Sequence, residues 1–76
     1  MISLPYVSAD GKPTKTGIAT LTALKNGAKT PKDVSEITGQ PLFKIRSGLR
    51  ELVNAEFVKQ VDDTYQLTTK GSELVP

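Results

Sequence analysis

The segment from Thr30 to Asn54 constrains the fold more than any other part of the chain, because it carries two helix patterns separated only by Gly39-Gln40-Pro41. Thr30-Pro31-Lys32-Asp33 reads as a helix start. The threonine hydroxyl can accept from a free N–H, proline fits the first turn, and aspartate suits the positive helix end. Val34 and Ile37 supply the apolar stripe of this short helix. Gly39 can take the left-handed backbone that stops it, and Pro41 restarts a helix. Leu42, Ile45, Leu49 and Leu52 follow at spacings of three and four, which puts them on one inward face. The opposite face carries Phe43, Lys44, Arg46, Ser47 and Arg50.

The flanking segments complete an order of helix, helix, helix, hairpin. Thr14 or Thr16 can cap a first helix that runs to about Asn26, with Ile18, Leu21 and Leu24 as its stripe, Ala19 and Ala23 beside them, and Gly27 as its stop. Phe57-Val58-Lys59-Gln60-Val61 is β-branched and aromatic enough for a strand. Asp62-Asp63 makes a polar turn, and Thr64-Tyr65-Gln66-Leu67 alternates as the returning strand, with Tyr65 and Leu67 on the face that packs on the helices. Thr68 to Val75 begins a last short turn or helix. Ahead of all this, Asp10-Gly11-Lys12-Pro13 reads as a turn, and the alternation of Ile2, Leu4 and Tyr6 as an arm that Pro5 confines to an edge. Residues 1–15 are thus an arm or loop, and residues 16–76 a mainly α domain with a β-hairpin (α+β).

Composition removes most chemistry. A chain of 76 residues buries only about 60% of its unfolded surface. It has no cysteine and no histidine, so disulfides, thiolate metal sites and the usual general base are all excluded. No nucleophile–base pair or phosphate-cradling glycine loop is visible, so an enzyme is not expected, and neither is a cofactor. Asp62-Asp63 lacks converging ligands and reads as a turn, not a metal site. The apolar runs are too short to span a bilayer and the first residues lack a signal-peptide pattern, so a cytoplasmic protein without membrane contact is the expectation. The net charge is only +2, but it is segregated: five lysines and no acid lie between Gly11 and Lys32, and Lys44, Arg46 and Arg50 form a second basic group. A segregated basic face suits a phosphate backbone, and a short helix, corner and basic second helix make a helix-turn-helix.

This order, with Leu21, Leu24, the Thr30-Pro31 cap, Gly39, the Ile45/Leu49/Leu52 stripe, Phe57-Val58 and Tyr65-Gln66-Leu67-Thr68-Thr69-Lys70-Gly71, resembles the winged helix-turn-helix family of small prokaryotic transcription regulators. The match covers roughly residues 16–71. The resemblance implies a three-helix winged helix-turn-helix domain that binds double-stranded DNA, with the helix over residues 41–54 in the major groove. It implies Lys44 and Ser47 as phosphate contacts, Arg46 or Arg50 as a guanine reader, and Gln40 at the helix start as a base or backbone contact. Lys32 and Lys59 extend the cationic set. Phe43 belongs to the same outward face. It can cover a thymine methyl or meet a partner, although so small a core favours its folding back, half-buried, beside Pro41. Gly48 in mid-helix is expected to permit close approach of a neighbouring helix.

Two departures from the family pattern carry consequences. Glu56 stands where a glycine commonly marks the exit from the third helix, so that exit should be made by Asn54 or Ala55, or in a different geometry. The wing turn is Asp62-Asp63, which phosphate would repel, so contact through the wing tip is not expected. Two-fold DNA sites imply a homodimer, for which the Ile2/Leu4/Tyr6 arm is the candidate surface. The acidic turn, Phe43 and the low net charge favour a second function, a protein-interaction module within a larger complex. RNA binding ranks lower, since no stacking aromatic pair or GXXG loop is present.

Overall fold

A computed structural model describes residues 5–75; Ile2 and Leu4 of the arm lie outside the described residues. The chain is an α+β domain in the order α1 (Lys15–Lys25), α2 (Pro31–Thr38), α3 (Leu42–Asn54), β1 (Val58–Val61), β2 (Thr64–Leu67) and α4 (Thr69–Ser72). The helix starts follow local chemistry. Thr14 accepts from the Gly17 amide to begin α1. Thr30 and Asp33 form a reciprocal capping box at α2: the Asp33 amide donates to the Thr30 hydroxyl at 3.2 Å, and the Thr30 amide to the Asp33 carboxylate at 3.3 Å. That carboxylate also accepts from the Lys29 amide at 3.1 Å. These amides, that of Lys29 first, hold the Asp33 carboxyl below its ordinary range.

The corner forms as the glycine requires. Gly39 sits at φ 76 and its amide closes on the Ser35 carbonyl at 2.9 Å. The Ser35 hydroxyl donates to the Gln40 carbonyl at 2.6 Å, which folds the corner back on α2. Pro41 then opens α3 without a side-chain cap. Between β1 and β2 the turn is the two-residue loop Asp62-Asp63, with Asp62 at φ 54, giving the register Val61↔Thr64, Gln60↔Tyr65, Lys59↔Gln66 and Val58↔Leu67. The Tyr65 amide donates to the Lys29 carbonyl at 2.7 Å, so the link between α1 and α2 lies along the open side of β2.

The core gathers Leu21 and Leu24 of α1, Val34 of α2, Ile45, Leu49 and Leu52 of α3, and Phe57 and Val58 at the start of the hairpin, closed by Tyr6 and Val75. Tyr65 and Leu67 pack against it, half-buried, as their shared face requires. Three apolar expectations are corrected. Ile37 is 57% exposed, because the eight-residue α2 reaches the core through Val34 and Ile37 lies about 60° round from it. Leu42 is 36% exposed, because it opens α3 where no earlier turn covers it. Phe43 does not fold back, and stands 71% exposed.

The exit from α3 is also corrected. Neither Asn54 nor Ala55 makes it; Glu56 itself takes the left-handed conformation at φ 68. The Phe57 amide donates to the Leu52 carbonyl and the Glu56 amide to that of Val53, both at 3.0 Å, which is the six-to-one and five-to-two pattern a glycine usually terminates. Residues twelve to fifteen positions downstream hold this turn. The Thr68 hydroxyl donates to the Glu56 carbonyl at 2.6 Å, and the Lys70 ammonium to the Ala55 carbonyl at 3.1 Å while standing 4.9 Å over the Phe57 ring. Glu56→Gly is expected to raise stability by about 0.5 kcal/mol: relief of the left-handed strain, about 1–2 kcal/mol, exceeds the added freedom of the unfolded chain, about 0.4–1 kcal/mol. Urea unfolding of the two proteins checks it, and a lowered midpoint contradicts the strain.

Candidate nucleic-acid interface

Ile45, Gly48, Leu49 and Leu52 are buried, and on the other side of α3 Phe43, Lys44, Arg46, Ser47 and Arg50 are exposed. Among the described residues none of the three cations has a hydrogen-bond or ion-pair partner, so their charge is not spent within the fold. The cations do not form one uniform face. At about 100° per residue, Arg46 and Arg50 lie about 40° apart, whereas Lys44 is about 120° round from Arg50. Phe43 and Ser47 lie between them.

The two margins of this face are built by different elements. On one, Arg46, Arg50 and Val53 of α3 meet Gln60 and Tyr65 of the hairpin around a cleft of about 300 Å³. On the other, Lys44, Gln40 and Pro41 meet Tyr6 and Thr16 around a depression of about 250 Å³. Lys59 lines neither; it borders a shallow groove with Lys70 and Glu56 that adjoins the cleft through Val53 and Gln60. Lys32 is exposed in the first turn of α2. Thus the structure brings Arg46 and Arg50 together and joins Gln40 to Lys44, while Lys59 stands apart. Gln60 and Tyr65 join the arginines here without having been among the residues expected from the sequence. The two-residue turn alone places them opposite each other, since centring on Asp62-Asp63 pairs 61 with 64 and then 60 with 65.

Tyr6 is the main surprise on the Lys44 side. It is not an exposed arm but is 3% exposed, with its ring lying over Gly48 of α3. A Cβ at Gly48 would come within 2.4 Å of that ring, so the glycine makes room for an aromatic side chain and not for a helix. The tyrosine hydroxyl donates to the Gln40 side-chain oxygen, and the Tyr6 and Val7 amides donate to the Glu51 carboxylate at 3.2 and 3.4 Å. The strap from Tyr6 to Thr14 therefore holds both the start of α3 and its third turn. It also fixes Gln40 with its amide oxygen occupied, which leaves the side-chain N–H donors for an acceptor outside the fold.

Burial, and secondarily the Glu51 carboxylate, raise the Tyr6 hydroxyl above its ordinary value of 10.0. The folded state favours the neutral phenol, so this contribution to stability is complete below that ordinary value and is lost as pH rises through the higher folded one. The thermal midpoint is expected to fall above pH 10.0, and Tyr6→Phe to lose part of that fall. Equal alkaline slopes in the two proteins would show that Tyr6 is not the group responsible.

Among the described residues no group of three or more acidic side chains is placed to hold a metal ion, and no helix is long and apolar enough to cross a membrane. No family model, curated protein or solved structure matches the chain.

Proposed function

We propose that this chain is a winged helix-turn-helix domain that binds double-stranded DNA, with α3 in the major groove, as a cytoplasmic, non-catalytic regulator of transcription. One observation carries the reading: an amphipathic α3, entered through a tight glycine corner, buries one side and presents Lys44, Arg46, Ser47 and Arg50 on the other with no internal partner. Unpartnered cations on a helix that can enter a groove are what a polyanion rewards. Asp62 and Asp63 at the hairpin turn keep the wing tip away from phosphate, so α3 and its two margins carry the contact. A two-fold DNA site would call for a second copy of the chain, and Tyr6 is committed to its own core.

A pool of mixed-sequence duplexes in a gel-shift assay at low salt tests the reading. Retardation that weakens steeply as salt rises is expected. A folded protein that retards no duplex at any concentration contradicts it. The second reading, a protein-docking module, rests on the exposed apolar side chains Ile37, Leu42 and Phe43 at the α2–α3 corner. Ile37→Ala, a change in the same apolar corner but off the outward face of α3, separates the two. A gel shift given equally by parent and variant supports DNA binding, whereas no gel shift from either, together with a protein partner captured by the parent and lost by the variant, supports docking.

A further inference from the structure

We propose that the cleft between α3 and the hairpin is a phosphodiester-binding site, in which Arg46 and Arg50 clamp one phosphate and Gln60 and Tyr65 complete the wall. This deepens the duplex reading and rests on it only for the source of the phosphate. The two arginines are one helical turn apart, so their side chains rise side by side from one margin of α3. Neither is paired with a described residue, the Asp62-Asp63 carboxylates of the nearby turn included. Two uncompensated guanidiniums facing one concavity repel each other, and an anion with several acceptor oxygens relieves that repulsion.

The rest of the wall narrows the anion. The Tyr65 hydroxyl has no described partner and can donate, while its half-buried ring and Val53 give an apolar side suited to a sugar. Gln60 donates one side-chain N–H to the Asp62 carbonyl at 3.2 Å, which holds the amide in place and leaves a second N–H free. A cleft of about 300 Å³ is at the small end of ligand sites and takes a phosphate with its neighbouring sugar, not a whole cofactor. Tyr65 and Gln60 are cross-strand partners, so one ladder rung sets the hairpin side of the site. A consequence follows for specificity. If both arginines are engaged with backbone, the groove floor is read by Phe43 and Ser47, and sequence discrimination is weak.

The test follows the side-chain resonances of Gln60, Arg46 and Arg50 by NMR. The probes are inorganic phosphate, sodium chloride at equal ionic strength, and a short duplex, each added to the whole chain. Phosphate is expected to move these resonances and chloride to leave them. The paired change Arg46→Gln with Arg50→Gln should weaken the phosphate response by about tenfold or more, and Tyr65→Phe by less, with thermal midpoints no lower than the parent's because the altered atoms are exposed or half-buried. The duplex should move the same resonances, and phosphate should compete with it. Cleft resonances that ignore phosphate, or that respond equally in the Gln pair, overturn the site. A duplex that shifts α3 amides but not these side chains overturns it while sparing DNA binding. Phosphate shifts with no duplex response keep the site as one for a free anion and remove the duplex reading.

Discussion

Gly71→Ala is expected to cost about 3 kcal/mol or more, a large part of the roughly 4–11 kcal/mol that a domain of this size commands. A Cβ at Gly71 would sit 2.0 Å from the Phe57 carbonyl oxygen and 2.9 Å from its carbonyl carbon. Those atoms are main chain and cannot rotate away. Phe57 cannot retreat either, since its own amide is bound to Leu52 and its carbonyl accepts from Thr68. The close approach is what lets α4 seat on the exit from α3, where Thr68 and Lys70 hold the carbonyls of Glu56 and Ala55. Urea unfolding of the variant should give a much lower midpoint, and Gly27→Ala is a useful contrast. A Cβ there meets nothing within 4 Å, so its cost is only the positive-φ strain, about 1–2 kcal/mol, less the roughly 0.4–1 kcal/mol by which alanine restrains the unfolded chain. A Gly71→Ala protein as stable as the parent would mean that the seat of α4 is not as described.

The largest effect on binding is expected from Arg46→Ala combined with Arg50→Ala. The pair should weaken duplex affinity by about a hundredfold at low salt and lessen the salt slope by about two. Folding should be unaffected, since both side chains are exposed and have no partner among the described residues. Lys44→Ala, on the opposite margin, should cost about one unit of slope and about tenfold in affinity. Anisotropy titrations of a labelled duplex at several salt concentrations separate the three. Equal affinity for the parent and the double variant would remove Arg46 and Arg50 from the interface.

Much of this architecture is legible in the residues. The Thr30–Asp33 cap, the Gly39 corner and the Ile45/Leu49/Leu52 stripe are local, and hydrogen bonding and periodicity suffice to read them. The hairpin follows from a β-branched, aromatic run and an alternating run about a two-residue turn. What escaped is what depends on the far side of a contact. Periodicity says that Leu42 shares a face with Ile45, but not that the face is uncovered at the helix start. Gly48 announces a close approach without naming its occupant, which is the Tyr6 ring from a segment 42 residues earlier. Glu56 offends the local rule for a left-handed exit, and it is held there by Thr68 and Lys70, which no window around Glu56 contains. The candidate interface divides in the same way. Its cations were readable from α3 alone, whereas Gln60 and Tyr65 enter only when the hairpin folds beside that helix.

Amide shift mapping during titration with a short duplex locates the surface of the protein that meets DNA. The largest movements are expected at Phe43, Lys44, Arg46, Ser47 and Arg50, with Gln40 and Gln60 at the margins and little change in α4. Movements centred on α4 or the Asp62-Asp63 turn, or none at all at low salt, would contradict the placement of DNA against α3.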